Sequence, residues 1–200
     1  DNYLIQDSII NLDDYVTRKI ARAIAKAIDQ GIVKGQGAAN KQPTGIITSL
    51  PASNQVTVEA NGDLVKNLAK QIGLIDTGED AVGEIVAVMH RKTYYNRLVE
   101  FSIQVDAQGN VVGKLPNLRQ PDFLGLRVVF NNFLDEDTVL FGDFSKYTLV
   151  ERETITLDTS VHVKFAEDQT AFRGKGRFDG KPVKPEAFVL VTITDPAPAA

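Results

Sequence analysis

The stretch KGQGAANKQPTGI, residues 34–46, decides how this 200-residue chain is read. Gly35, Gly37 and Gly45 surround Pro43, and Lys34 and Lys41 flank the glycine-rich core. Such a composition invites the reading of a phosphate-cradling loop. That loop follows a strand, opens a helix and carries Lys-Ser/Thr directly after its last glycine. Here a helical pattern comes first, Ile46-Ile47 follow Gly45, and the next segment is read as non-helical. The third glycine of the dinucleotide pattern is also missing. The stretch therefore reads as a helix stop followed by a proline-fixed turn.

Upstream lies NLDDYVTRKIARAIAKAIDQG, residues 11–31. Asn11 is placed to cap a helix, and Asp13 and Asp14 suit its positive end. Gly31 is the expected C-terminal stop. At ~100° per residue, Leu12, Val16, Ile20, Ala23, Ile24, Ala27 and Ile28 share one arc. Arg18, Lys19, Arg22 and Lys26 fall opposite. YLIQDSII (3–10) reads as a short strand before it.

Downstream, QVTVEA (55–60) reads as a strand, and Asp63 caps a helix over LVKNLAKQIGLI. EIVAVMH (84–90) is a buried strand leading to a helix from about Arg91 to Val99. Residues 106–120 are loop-forming. LRVVF, DTVLFGD and AFVLVTIT read as strands, as does YTLVERETITLDTSVHVKF with its period-2 alternation. DQTAFRGKGRFDG continues less regularly, and DPAPAA is an expected disordered tail.

Composition excludes several classes. No cysteine is present, so disulfides and thiolate metal sites are absent. His90 and His162 stand far apart, which argues against a histidine metal centre, and neither accompanies a Gly-x-Ser-x-Gly elbow. A capping or solvated role suits both better than general base. Asp135-Glu136-Asp137 and Glu79-Asp80 read as solvated turns, without calcium-loop spacing. No apolar run approaches a membrane span. A net charge of −4 gives no global support for nucleic-acid binding. Arg173, Lys175, Arg177 and Lys181, with Asp179 and Glu186 nearby, are expected to form ion pairs across a subunit contact.

The order of segments is more specific. The helix running into Gly35, Gly37, Pro43, Gly45 and Ile46 is followed by Gly142-Asp143-Phe144-Ser145 with Tyr147 and Arg152. Arg173, then Arg177, Asp179-Gly180 and Ala187-Phe188 close the pattern. Together these resemble the major capsid proteins of tailed bacteriophages, the HK97-fold family, over residues 4–194. The family's usual Trp before the second helix is absent, and His90 stands where Asn is common.

The resemblance implies an α+β fold with a long spine helix, a strand-rich peripheral (P) domain and an α/β-type axial (A) domain. The P domain would comprise residues 1–51 and 145–194, and the A domain 52–144, leaving 195–200 as tail. Gly35, Gly37, Pro43 and Gly45 would form the hinge after the spine helix. A capsomer-axis loop would include Asp106, Gly109, Asn110, Pro116 and Asn117. The turn near Phe165–Asp168 and Arg173, Lys175, Arg177 and Asp179 would lie toward three-fold contacts. The family's N-terminal arm and extended E-loop have no counterpart here, so a truncated fragment or engineered core is expected, with no crosslink. The implied function is structural, without catalysis or cofactor: copies of the chain, as pentamers and hexamers, form the icosahedral phage head around dsDNA without sequence-specific or membrane binding. Scaffold, portal and decoration proteins are the expected partners, with assembly in the bacterial cytoplasm. The rival readings are an encapsulin shell and a small-molecule-binding α+β domain with a pocket near His90.

Overall fold

The computed structural model describes residues 12–60, 63–79, 83–99 and 121–196. The helix α1 spans Leu12–Lys34, longer than the sequence pattern predicts. Gly31 does not end it. The residue sits buried within the last turns, where the Pro43 ring lies 3.2 Å from the position a Cβ would occupy. The missing side chain serves packing, and the helix continues for three more residues to reach Val33, which is buried. The expected cap Asn11 and strand 3–10 lie outside the described residues.

After the glycine-rich turn comes α2 (Ile46–Ser49), so the segment following Gly45 is helical for one turn, contrary to expectation. Then follow β1 (Gln55–Glu59), α3 (Leu64–Ile72) and β2 (Ile85–Met89). Asp63 precedes α3, but its carboxylate takes Lys66 Nζ at 2.8 Å and makes no side-chain cap. The helix after β2 begins as expected and then widens. It consists of α4 (Arg91–Thr93) and a π turn (Tyr94–Leu98). The remaining strands are β3 (Asp122–Phe123), β4 (Leu126–Phe130), β5 (Thr138–Asp143), β6 (Tyr147–Lys164), β7 (Gln169–Pro182) and β8 (Phe188–Thr194).

Six strands form one sheet in the order β1-β8-β5-β2-β4-β3. The strand β8 lies parallel to β1 and antiparallel to β5. This corrects the grouping of residues 188–194 with the long strands, because their backbone groups complete the sheet of the middle segment. The period-2 alternation sorts side chains onto two buried faces. Ala87, Met89, Val139, Phe141, Val189 and Val191 pack with Leu64 and Leu68 of α3 and with Tyr94 and Leu98. Val88, Leu140 and Phe188 point the other way, toward Val33, Ile46 and Leu50. A sheet covered on both faces explains why β5 is buried at every position.

The strands β6 and β7 form a separate two-stranded ribbon. Their pairing runs from Tyr147↔Pro182 to Lys164↔Gln169, with register shifts at Glu151/Glu153, Glu153/Thr156 and Ser160/Lys164. The "less regular" segment from Asp168 is thus a full strand. Asp168 closes the tip with a left-handed φ of 49°. Along one side, α1 packs on β7. Gly174 has no side chain there because a Cβ would stand 2.4 Å from Ile20 Cγ2.

Candidate functional site

The glycine-rich turn is the junction of three bodies: helix, sheet and ribbon. Gly35 N donates to Gly31 O at 3.0 Å, and Gly45 N donates back to Gly35 O at 2.8 Å. Gly37 N donates to Pro43 O at 3.1 Å, and Gln36 bridges to Thr44. Thr44 N reaches Gly180 O of the ribbon at 2.7 Å, and Tyr147 Oη donates to Thr44 O at 3.2 Å. Ile46, fully buried directly after Gly45, anchors α2 on the sheet. Two physical demands explain the glycines. Gly37 holds φ at +80° with ψ at −177°, an extended positive-φ conformation that is essentially glycine's alone. Gly35 and Gly45 are pressed backbone to backbone, with a Gly45 Cβ falling 2.4 Å from Gly35 N. The backbone donors of Gly37, Asn40, Lys41, Gln42 and Gly45 bind carbonyls of the turn itself, Gln36 N binds the Gln42 side chain and Thr44 N binds the ribbon, so these donors are engaged within the chain rather than arrayed for a phosphate.

The motif Gly142-Asp143-Phe144-Ser145 forms a second joint, where the sheet passes into the ribbon. A Cβ at Gly142 would lie 2.3 Å from the Phe188 ring, so glycine admits that ring to the core. Asp143 is buried, yet its carboxylate accepts hydrogen bonds from Ser145 N at 3.0 Å and Gly83 N at 2.9 Å. Burial alone pushes its pKa up. The hydrogen bonds from Ser145 and Gly83 and the charge of Lys146 outweigh this and hold it below the usual carboxylate range. A depressed folded-state pKa gives stability that is present above the unfolded value of about 3.9 and lost as pH falls through the folded value. Asp143→Asn is therefore expected to cost about 2 kcal/mol at pH 7. The gap from the parent protein should narrow below about pH 4 in urea unfolding curves recorded across pH. A gap independent of pH would show that the carboxylate charge has no part in the joint.

The charged residues expected at a subunit contact pair within the chain. Arg173 meets Asp158 at 2.8 Å across the ribbon, and Lys175 meets Glu153, with Arg177 at 3.9 Å from the same Glu153. Asp179 accepts from Gly180 N at 2.8 Å. These are cross-strand neighbours, a pairing that register alone determines. Sequence inspection could not supply it, because bulges shift the register three times.

Other candidates resolve simply. His90 caps the turn after β2, its Nδ1 accepting from Lys92 N at 3.2 Å. His162 is exposed on the ribbon. The acids 135–137 are each taken by a basic side chain: Asp135 by Lys34 at 2.7 Å, Glu136 by Lys92 at 2.5 Å, Asp137 by Arg97 at 2.8 Å. Arg97 also holds Asp195 at 2.6 Å, which ties the end of β8 to the π turn. A small cavity of about 130 Å³ beside these residues includes Thr93 and Asn96 but not His90. Among the described residues no group of three or more His, Asp or Glu is placed to hold a metal ion, and no helix is long and apolar enough to cross a membrane. Asp106, Gly109, Asn110, Pro116 and Asn117 lie outside the described residues, as does Asp80.

The feature that sequence inspection understated is the ribbon's apolar surface. Val150, Val161, Val163, Phe165 and Val183 are exposed along it, with Phe165 at 80% and Val163 at 74%. The alternation was legible, but alternation does not reveal that neither face of the ribbon is covered by the sheet.

Comparison with known proteins agrees with this architecture. The capsid of the empty GTA particle matches with a TM-score of 0.72 at 19% identity, over 96% of this chain and 69% of that one. A Microbacterium phage Oxtober96 structure matches with 0.72 at 19%, over 97% and 69%. A Mycobacterium phage Cain structure matches with 0.66 at 18%, over 99% and 70%. These likenesses show the fold, the α+β, HK97-like capsid fold that the segment order implies. No curated protein matches the chain. The model of the phage capsid family covers residues 1–193, and the chain belongs to that family.

Proposed function

We propose that this structural protein builds the icosahedral head of a tailed phage by self-association, as its major shell component. The observation that carries the reading is the ribbon. Two strands alone are marginally stable in water, and this pair exposes Val150, Val161, Val163 and Phe165. Covering a side chain of that size contributes about 1.5–3 kcal/mol. Repeated over many symmetric contacts, modest interfaces close a shell.

In this reading α1, the junction and the ribbon form the P domain. The six-stranded sheet, β8 included, forms the A domain. The hinge role of Gly35, Gly37, Pro43 and Gly45 follows from their place between the two. The loop containing Asp106, Gly109, Asn110, Pro116 and Asn117 would meet its copies around the five-fold and six-fold axes. Arg173, Lys175 and Arg177 keep their ion pairs and Asp179 its hydrogen bond from Gly180 N, and all four lie near three-fold contacts. The particle encloses dsDNA without reading its sequence, works with scaffold, portal and decoration proteins, and forms in the bacterial cytoplasm before becoming part of the virion. The family match favours this shell over an encapsulin compartment.

The test is electron microscopy of the gene product expressed in a bacterium, alone and with its scaffold. Closed particles of uniform diameter are expected. A protein that stays monomeric by sedimentation in every assembly condition overturns the reading.

A further inference from the structure

We infer that the ribbon tip of one copy seats in the groove between α1 and β7 of another. The groove has a volume of about 550 Å³. Ile24 and Ile28 of α1, Pro43 of the junction and Phe178 of β7 give it apolar walls. Gly174 and Gly176 also line it and add no side chain, so β7 forms a bare floor there. Its charged lining residues are Lys34, Lys41 and Lys175, with no carboxylate among them. Asp135 and Glu153 hold two of these lysines from outside the groove.

The tip has the complementary chemistry. Phe165 is 80% exposed, the most exposed large apolar side chain among the described residues, and Val163 stands beside it at 74%. Glu167 and Asp168 follow within the same turn, and Lys164 pairs with Glu167 at 2.6 Å. The tip thus carries one negative charge in excess beside its aromatic ring. An aromatic anchor in an apolar slot, with charged groups at the rim, is the usual form of an interface centre.

The groove cannot take its own tip. The tip pair is Lys164↔Gln169, whereas the groove lies at Lys175, opposite Thr156. Six residues of strand separate them, about 20 Å of paired ribbon. The occupant is therefore a second copy, and the contact is heterologous: every copy offers both a tip and a groove. This inference rests on the shell reading only in requiring that second copy. It deepens that reading by naming which surfaces meet.

The chain contains no cysteine, so an introduced thiol is unique. Gln42→Cys marks the groove and Ala166→Cys marks the tip, both at exposed positions. Equimolar variants of this chain are mixed under self-associating conditions with oxidised glutathione, and the disulfide products are separated. A groove–tip heterodisulfide at least tenfold above either homodisulfide is expected, and adding Phe165→Asp to the tip variant should abolish the excess. In the parent background, Phe165→Asp should raise the concentration for half-association at least tenfold while leaving the thermal midpoint of the monomer unchanged. Predominant tip–tip homodisulfide, or Phe165→Asp associating at the parent concentration, overturns the inference. Either of those results can accompany normal closed particles, so the inference can fail while the shell reading stands. Without particles, the shell reading fails and the disulfide ratio still decides the inference.

Discussion

Gly35→Val destabilises the monomer by about 4 kcal/mol or more, enough to deplete the soluble folded protein. A Cβ on Gly35 would stand 2.2 Å from Pro43 O and 2.3 Å from Gly31 O, both backbone atoms that cannot rotate away. Relief requires parting the strand-like leg at Pro43–Gly45 from the end of α1. That breaks the Gly45 N–Gly35 O bond of 2.8 Å and withdraws Ile46 from the sheet. A second substitution separates this crowding from backbone strain. Gly37 has a positive φ but open surroundings, its Cβ position meeting only Thr44 Oγ1 at 3.5 Å. Gly37→Ala is expected to lose only about 1–3 kcal/mol. Guanidinium denaturation of both variants checks the ordering. Equal losses at the two positions would mean that the close approach at Gly35 is not what holds the junction.

Phe188→Ala costs about 3–5 kcal/mol. The ring is fully buried, stands edge-on to Phe144 with centroids 5.4 Å apart, and fills the space that Gly142 leaves open. Its removal empties the centre of the face on which Val33, Ile46 and Leu50 converge, so the junction loosens with the core. For a chain of this length the loss corresponds to a fall of about 10 °C in the melting midpoint. Phe165→Ala is the internal comparison. That ring is 80% exposed, and its loss should move monomer stability by less than about 0.5 kcal/mol. Calorimetry of both variants at a concentration below association tests the pair. A similar fall for each would place Phe165 in the monomer's own core.

Much of this fold is legible in the amino-acid sequence. The arc from Val16 to Ile28 defines α1, alternation marks the first ribbon strand, β6, and the glycines with Pro43 mark a turn. Each of those signals is local. The errors fell where a distant residue decides. Gly31 looked like a stop because glycine disfavours helices, but Pro43 needs its empty side. The resemblance groups the apolar run at 188–194 in one domain with the ribbon next to it in sequence. It is instead drawn into the sheet, where Val189 and Val191 find covered faces on both neighbours. Ile46 begins a helical turn because its burial fixes the backbone there, in a segment whose glycines and proline predict none. The family resemblance was legible for a related reason. Gly35, Gly45, Gly142 and Gly180 each sit where a side chain would collide with another segment, and their spacing therefore records the contacts between segments.

The place of β8 has a consequence for how the protein is made. Of the described strands it is the last to leave the ribosome, yet it lies between β1 and β5, with Gln55 beside Leu190 and Leu140 opposite it. Until β8 is synthesised, β1 has no neighbour and the sheet is divided. Pairing of such sequence-distant strands is slow and comes late. A nascent chain can therefore form α1 and close the ribbon, but it cannot fix the two in their final relation to the sheet. The order of synthesis therefore acts as a timer: no complete subunit surface exists until β8 has emerged and taken its place between β1 and β5.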